Sequence, residues 1–292
     1  MSGQYLSDDT ACISTKDRGF RFGDGIFETI AVVESIPYLW ELHANRLKHG
    51  LRAIYMDADI DALLPPLLTV IKKNAVSSGV ARILITRGVG SRGYLPTVKA
   101  PTILIEAESA PLPLITPSLR NPIHLWQSPW RRFPAECLPT DAKIMQGMNA
   151  TLARVDAQQH AADEALLLSY AGDICELSSG SLFWLHGETL YTPSLDTGAL
   201  AGTMRERLLA LWDGCAIEQV SAPPDILHHC DAVIMTNALC GAVPIASLMN
   251  HNLYFPHSTA LAVRCNALID TDIMHNLAGF TQKYLASTPT HP

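Results

Sequence analysis

The sequence has few charged residues for its length. Asp, Glu, Lys and Arg together make up 17% of its 292 residues, against roughly 25% in an average soluble domain. Intrinsically disordered chains combine high charge with few apolar side chains, whereas 48% of this chain is hydrophobic. The composition therefore excludes a disordered protein. A chain of this size can bury a substantial core without disulfides or metals, and its sparse charge suggests a surface partly covered in an oligomer.

Basic clusters, membrane-length runs and an export signal are also missing. The net charge is −7, and no run of Lys and Arg is longer than two residues, which argues against a nucleic-acid partner. No apolar run approaches the roughly 18 residues of a membrane span. The N-terminus has neither the basic nor the apolar region of a signal peptide. We therefore expect a cytoplasmic protein with no membrane partner.

Motifs for metal, nucleophile and dinucleotide sites are absent as well. The seven cysteines, at positions 12, 137, 175, 215, 230, 240 and 265, form no C-x-x-C pair and no zinc spacing. Neither H-E-x-x-H nor G-x-S-x-G occurs, and the glycines at 23 and 25 do not form a G-x-G-x-x-G motif. We expect no metal site and reduced, mostly buried thiols.

A proline-rich segment divides the chain. Residues 109–118 carry prolines at positions 111, 113 and 117, and each proline removes a backbone donor and disfavours helix before it. The length of the chain is compatible with two domains. The sequence therefore predicts a small N-terminal α/β lobe over 1–110, a connector over 111–120 and a larger C-terminal lobe over 121–292 that carries Lys143.

Helical and strand patterns mix without a regular alternation. Helical periodicity is found at 41–56, 60–76 with a start near Pro65, 144–160, 203–212 and 258–285. Strand patterns cover 80–86, 102–106, 165–168, 181–185, 189–191 and 231–236. In the helix over 144–160, Met145, Met148, Leu152 and Val155 are expected to face the core. The predicted fold class is α+β (mixed α/β) in two lobes.

Several polar residues are candidates for chemistry, although each has an ordinary structural interpretation. Lys143 precedes a predicted helix, where a lysine is usually solvated, and Glu176 precedes a Ser-Ser-Gly turn. The glycine-rich loop 88–94 is either a turn or a loop that presents Arg92 and Tyr94 to an anion. The helix start at 200–205 and the segment 236–238 could each bind phosphate. Alone, none of these patterns predicts a site.

Taken together, these elements resemble the fold-type IV pyridoxal-phosphate enzymes. That family includes branched-chain aminotransferases, D-amino-acid aminotransferases and 4-amino-4-deoxychorismate lyases. The matching segments, in chain order, are residues 17–27, 43–47, 86–94, 143, 162–168, 176, 182–184, 191–193, 200–205 and 236–239.

The resemblance implies pyridoxal 5′-phosphate as cofactor and a role for each matching residue. Lys143 is similar to the lysine that forms a Schiff base with the cofactor and acts in catalysis, and Glu176 to the carboxylate facing the pyridine nitrogen. Leu200 would lie against the ring. The residues implied around the phosphate are Arg46, Gly202, Thr203, Met204, Asn237 and Ala238. The resemblance also implies a homodimer that acts on a small molecule.

Within the family, the pattern is closest to the lyases, which make 4-aminobenzoate for folate biosynthesis. The run from Arg87 to Tyr94 is similar to theirs, and Thr29 stands where the branched-chain aminotransferases tend to have glycine. The resemblance makes Thr29 catalytic, and assigns Arg92, Tyr94, Asn237 and Thr29 to the substrate.

Two other hypotheses remain open from the sequence. Glu28 is also found in D-amino-acid aminotransferases, so an aminotransferase acting on D- or branched-chain amino acids is one alternative. The segment 144–147, Ile-Met-Gln-Gly, replaces the His-Leu-Asn-Arg common in lyases, and Ser181 replaces a common asparagine. The other hypothesis is a cofactor-binding protein without catalysis, since a fold does not fix a function.

Overall fold

A computed structural model describes residues 3–90, 92–97, 100–214 and 216–286. The chain forms two compact units. The first contains the described residues up to Pro111 together with Ala142–Gln146, and the second contains Leu112–Asp141 and the described residues from Gly147 onward. The main boundary between the two units, after Pro111, lies in the proline-rich segment.

The first unit is built on a four-stranded antiparallel sheet. Its helices and strands, in chain order, are α1 (Arg18–Phe22), β1 (Gly25–Val33), β2 (Ile36–Pro37), α2 (Trp40–Ala53), α3 (Leu64–Lys73), β3 (Ser78–Thr86) and β4 (Thr102–Ser109). The strand order is β2-β1-β3-β4. Alternation along β1 buries Ile26, Glu28 and Ile30 completely or nearly so. Helix α2 packs on β1 with Leu47 and Leu51 buried.

Residues 143–145 extend this sheet rather than starting a helix. The N–H of Phe27 donates to the carbonyl of Lys143 over 3.0 Å, and the N–H of Met145 donates to Gly25 over 2.9 Å. Ile144 forms a β-bridge with Ile26. These bonds place Lys143 in the first unit, whereas the sequence assigned it to the C-terminal lobe.

Among its described residues, the second unit contains nine strands and three α-helices. They are β5 (Ile123–Arg131), α4 (Met148–Gln159), β6 (Glu164–Leu168), β7 (Ile174–Leu177), β8 (Ser181–His186), β9 (Thr189–Pro193), α5 (Thr203–Leu211), β10 (Ala216–Val220), β11 (Ala232–Asn237), β12 (Gly241–Leu248), β13 (Leu253–Tyr254) and α6 (Ser258–Phe280). The order is β10-β9-β8-β11-β12-β5-β6-β7, with β13 on β12. Strand β7 also contacts β8 and β9, so the sheet curls on itself.

The predicted helix over 144–160 differs most from the structure. Helix α4 begins at Met148 because the preceding backbone groups bond to β1. Its buried face is formed by Asn149, Ala153 and Ala157, at four-residue spacing, and small side chains allow the helix to lie close to β5 and β6. Met148 is 66% exposed and Val155 45% exposed, so the expected core face was wrong.

The mixed α/β class is confirmed, and the other predicted helices and strands are confirmed with small shifts of their ends. Strands β1, β2, β5, β7, β10, β12 and β13 and the short helix α1 were not predicted. Pro129 lies in β5 and Pro244 in β12, and proline usually argues against a strand inside a sheet. Among the described residues, no helix combines the length and apolar character needed to cross a membrane.

The thiols are less buried than expected. Cys175 and Cys265 are buried, but Cys12 and Cys137 are exposed. Burial raises the pKa of the Cys175 and Cys265 thiols to about 12, which makes them unreactive at neutral pH. Cys215 lies outside the described residues.

The core of the second unit predicts a clear stability contrast. Leu248 on β12 is fully buried among the apolar side chains of this core. Changing it to Ala should lower the free energy of unfolding by about 2–5 kcal/mol. Met274→Ala, at a 63% exposed position of α6, should change it by less than about 0.5 kcal/mol. Urea unfolding measures both, and equal effects would contradict this assignment of the core.

Candidate functional site

A buried ion pair joins β1 to α2 in the first unit. Nε and Nη2 of Arg46 donate to the two carboxylate oxygens of Glu28, each over 2.7 Å. Nδ1 of His43 lies 2.7 Å from the same carboxylate. His43 and Arg46 are three residues apart and therefore share one face of α2. The family resemblance implied a phosphate contact for Arg46, and the structure shows its guanidinium bonded to Glu28.

The charges in this cluster follow from its burial. Burial acts to raise the pKa of Glu28, but the positive charge of Arg46 and the contact with His43 outweigh it and lower the pKa to about 2. Burial lowers the pKa of His43, against the attraction of Glu28. Near neutral pH the carboxylate is therefore ionised and the imidazole neutral. Since a carboxylate only accepts, the proton of His43 lies on Nδ1.

Lys143 and Thr29 lie on the face of the first unit's sheet opposite to the face that carries Glu28. Alternation along β1 directs Phe27 and Thr29 away from the face that carries Glu28. The Nζ of half-buried Lys143 lies 4.5 Å from the centre of the Phe27 ring. An amine, an aromatic ring and a hydroxyl are thus presented on one face.

Arg18 holds the predicted glycine-rich loop. Its guanidinium pairs with Asp24 at 2.7 Å and donates to the carbonyls of Gly93 and Tyr94 over 2.8 and 3.1 Å. Arg87 pairs with Asp24 at 2.9 Å. Burial would raise the pKa of Asp24, but hydrogen bonds from both arginines lower it. Arg92 is exposed and Tyr94 is 88% exposed, so their roles in substrate binding stay predictions.

In the second unit, two partners fix the carboxylate of Glu176. One oxygen lies 2.8 Å from Nε of Arg132, and the other accepts the backbone N–H of Leu200 over 2.8 Å. Arg132 also donates from Nε and Nη2 to the carbonyl of Gly198, over 3.2 Å each. Gly198 has φ of +89°, and an added Cβ would lie 2.9 Å from the carbonyl of Phe133, so this turn requires glycine. Two residues predicted to serve the same ring, Glu176 and Leu200, are in contact.

Two buried hydroxyls lie near the start of α5. Thr203 and Thr236 are 2% and 1% exposed, and their Oγ1 atoms have no hydrogen-bond partner among the described residues. Ser181 pairs with Thr236 across β8 and β11. A Cβ added to Gly202 would lie 2.9 Å from Oγ of Ser181. A helix start leaves its first N–H groups without partners inside the helix. We call Ser181, Gly202, Thr203 and Thr236 the hydroxyl cluster.

The remaining predicted residues lie beside this cluster. Asn237 accepts from the N–H groups of Leu239 and Cys240 over 3.0 Å each and donates to the carbonyl of Ser179 over 3.2 Å. Its amide therefore closes the turn that contains Ala238. Met204 is 1% exposed, so its backbone is the part able to contact a ligand. The substrate contact predicted for Asn237 stays a prediction.

Three residues near the candidate site, Arg132, His43 and Thr236, had no individual role in the sequence-based predictions. The signal for His43 was its spacing from Arg46 on a helix that faces a strand glutamate. For Arg132 no local signal existed, because 44 positions separate it from Glu176 in the chain and only the sheet brings them together. Within the described residues, no group of three His, Cys, Asp or Glu could hold a metal ion.

Comparison with known proteins agrees with this arrangement. A family model described as amino-transferase class IV matches residues 25–248, which include most of the residues discussed above. The chain belongs to the class IV aminotransferase family. This family depends on pyridoxal phosphate and contains both lyases and aminotransferases.

The relatives of this chain include proteins with two activities, a lyase and an aminotransferase. Aminodeoxychorismate lyase of Bacillus subtilis is 26% identical, over 86% of this chain and 87% of its own. Branched-chain-amino-acid aminotransferase of Escherichia coli is 25% identical, over 85% and 84%. The crystal structure of 4-amino-4-deoxychorismate lyase from Pseudomonas aeruginosa matches with a TM-score of 0.79 and 28% identity, over 93% and 98%. Lyase and aminotransferase are similar to this chain to nearly the same degree, so these likenesses agree with the family without deciding the reaction.

The cluster around Glu28 predicts acid sensitivity. A lowered folded-state pKa means that the unfolded chain binds protons first, so stability falls as the pH drops. For His43 this begins below its unfolded value of 6.5, and for Glu28 it covers the interval from 4.5 to about 2. The Glu28 contribution is about 3 kcal/mol. Unfolding free energies measured between pH 7 and 2 should show this fall.

Two variants identify the group responsible. Glu28→Gln should lose the part of the slope below pH 4.5. Glu108→Gln, which removes a 60% exposed partner of Arg82, should keep it, because exposed ion pairs contribute little. Carboxyl NMR titration of the wild-type protein gives the same answer if the Glu28 variant does not fold. A Glu28 midpoint near 4.5 would contradict the assignment.

Proposed function

We propose that the protein is a pyridoxal-phosphate-dependent aminodeoxychorismate lyase, which cleaves 4-amino-4-deoxychorismate to 4-aminobenzoate and pyruvate as a homodimer. The observation that carries the proposal is the common face of β1 shared by Lys143 and Thr29. A lyase needs a base and a proton donor, and an amine beside a hydroxyl provides both. Branched-chain aminotransferases tend to have glycine at the position of Thr29, and those that do lack this hydroxyl.

The hydroxyl cluster supports the proposal that the protein binds pyridoxal phosphate. A buried hydroxyl without a partner is costly, and two such groups beside a helix start suit an anion. Thr203 and Thr236 would donate to the cofactor phosphate together with the backbone of Gly202 and Met204. Glu176 would face the pyridine nitrogen, with Leu200 against the ring. When bound, pyridoxal phosphate supplies an electron sink that makes a neighbouring carbon more acidic.

The side chains of the first unit would carry out the proton transfers. Lys143 would attach the cofactor and, once displaced by the substrate amine, its Nζ would accept the proton from the ring carbon that bears nitrogen. Thr29 would deliver a proton to the oxygen of the departing enolpyruvate. The Phe27 ring lies 4.5 Å from Nζ, within the range of a cation–π contact with the protonated lysine.

The substrate has two carboxylates and needs cationic or donor partners. Arg92 is the candidate for one of them, with Tyr94 beside it on the loop that Arg18 holds. Asn237 remains the third candidate. The resemblance supports all three assignments.

A second candidate function is transamination of D- or branched-chain amino acids. Glu28, which D-amino-acid aminotransferases also carry, and the similarity to the Escherichia coli enzyme favour it. Lys143 would then carry the proton of the substrate carbon through a 1,3-shift rather than assist an elimination, and a keto acid would accept the amino group. The residues that hold the cofactor would be the same.

One assay tests the proposed function. Protein supplied with pyridoxal phosphate and freshly made aminodeoxychorismate should release 4-aminobenzoate, measured by its fluorescence, together with an equal amount of pyruvate. Lys143→Ala should abolish this release and the cofactor mass that borohydride reduction fixes to the wild-type chain. Amino-group transfer from amino acids to 2-oxoglutarate, without 4-aminobenzoate formation, would replace the lyase by the aminotransferase.

The hydroxyl cluster predicts opposite effects on cofactor affinity and on stability. Thr203→Val and Thr236→Val should each weaken cofactor binding by about 10- to 100-fold, the value of a hydrogen bond to a charged group. Without cofactor, their free energy of unfolding should be unchanged or higher, because a buried unpaired hydroxyl is removed. Equilibrium titration and urea unfolding measure the two quantities.

Thr192→Val is the matched control. Its hydroxyl is equally buried but donates to the carbonyl of Leu182 over 2.8 Å. This variant should lose about 1 kcal/mol of stability and keep its cofactor affinity. If the Thr203 and Thr236 variants behave like it, the phosphate does not bind at this cluster.

A further inference from the structure

Arg132 lies outside the residues to which the sequence gave a role, yet it contacts the one carboxylate that the cofactor ring requires. It directly follows the end of β5. In the sheet β6 lies between β5 and β7, with Arg131 paired to Leu168 and Leu167 paired to Glu176. This register brings residues that are distant in the sequence to one end of three neighbouring strands.

The contacts of Glu176 are of two different kinds. One oxygen is 2.8 Å from the positive Nε of Arg132, and the other accepts a backbone N–H, that of Leu200, over 2.8 Å. Side chains of Arg132 and Glu176 are 15% and 13% exposed, so water competes little for either. A carboxylate held at both oxygens has one orientation, whereas one held at a single oxygen can rotate about that contact.

Arg132 is itself fixed. Nε and Nη2 both reach the carbonyl of Gly198, two residues before Leu200. The arginine therefore ties the turn that presents the Leu200 N–H to the side chain that this N–H contacts. The planar guanidinium can serve both acceptors at once, which the single ammonium of a lysine does less well.

We propose that Arg132 is a positioning residue that sets the orientation and charge environment of Glu176 toward the cofactor ring. The inference rests on the proposed cofactor role of Glu176. Each carboxylate oxygen has two lone pairs, so the contacts with Arg132 and Leu200 leave acceptor capacity for the ring nitrogen. Loss of Arg132 leaves the carboxylate in place but free to turn away from that nitrogen.

A double-mutant cycle on the cofactor-loaded protein tests this. Arg132→Met should lower kcat about 10- to 100-fold, the effect expected for loss of a charged contact, with little change in KM. Glu176→Gln should lower kcat at least as much. If Arg132 acts through Glu176, the double variant should match Glu176→Gln alone, because neighbouring groups that act as a unit are not additive. Arg132→Lys should recover part of the activity.

The cofactor absorbance across pH gives a second readout, one that does not depend on turnover. Arg132→Met and Glu176→Gln should shift its pH profile in the same direction. The control is Arg131→Met, since Arg131 is an exposed neighbour with no role in the site, and it should match the wild-type protein in both readouts.

The outcomes separate the two levels of the proposal. A wild-type protein that binds no cofactor would overturn the proposed function. A wild-type protein that binds cofactor and turns over, with an Arg132→Met variant equal to it, would overturn the positioning role alone. Additive losses in the double variant, with an unshifted pH profile, would mean that Arg132 only supports the Gly198 turn, and would also overturn it.

Discussion

The N–H of Phe27 bonds to the carbonyl of Lys143, and the N–H of Met145 bonds to Gly25. The position of the lysine depends on this short pairing. It draws five residues out of the chain that follows the connector and adds them to the sheet of the first unit. It also fixes the side of β1 on which Nζ emerges, beside Phe27 and Thr29 and opposite Glu28. Backbone bonds, more than side-chain packing, therefore decide where the amine is presented.

The low charge content noted at the outset has a counterpart in how the few charges are used. Glu28 is fully buried between Arg46 and His43. Glu164, 1% exposed, accepts from Arg154, from the hydroxyls of Ser178 and Ser179 and from the N–H of Ala165. A buried charge is tolerated only when it is paired and hydrogen-bonded. These carboxylates fix local geometry, Glu28 inside β1 and Glu164 at the start of β6, where a change of partner would be costly.

Much of the fold could be predicted from the sequence, whereas the roles of the candidate site residues stay predictions, and the failures have physical causes. The helices and strands with clear periodicity, such as α5 and α6, were confirmed. Residues 144–147 were predicted as helix because apolar spacing cannot reveal that the backbone is already paired with a distant strand. Arg132 was missed for a similar reason, since its contact with Glu176 is created by strand register. The motif residues were found through resemblance, because each is unremarkable as an isolated pattern.

The two unpartnered hydroxyls at the start of α5 affect the stability of the folded protein as well as its chemistry. Thr203 and Thr236 are desolvated before any ligand arrives, so the fold without cofactor carries a cost that an anion would relieve. A ligand that binds only the folded chain shifts the folding equilibrium in proportion to its concentration. The surviving amount of this protein in a cell would then follow the supply of its cofactor, because chains made without it open more often and reach proteases sooner.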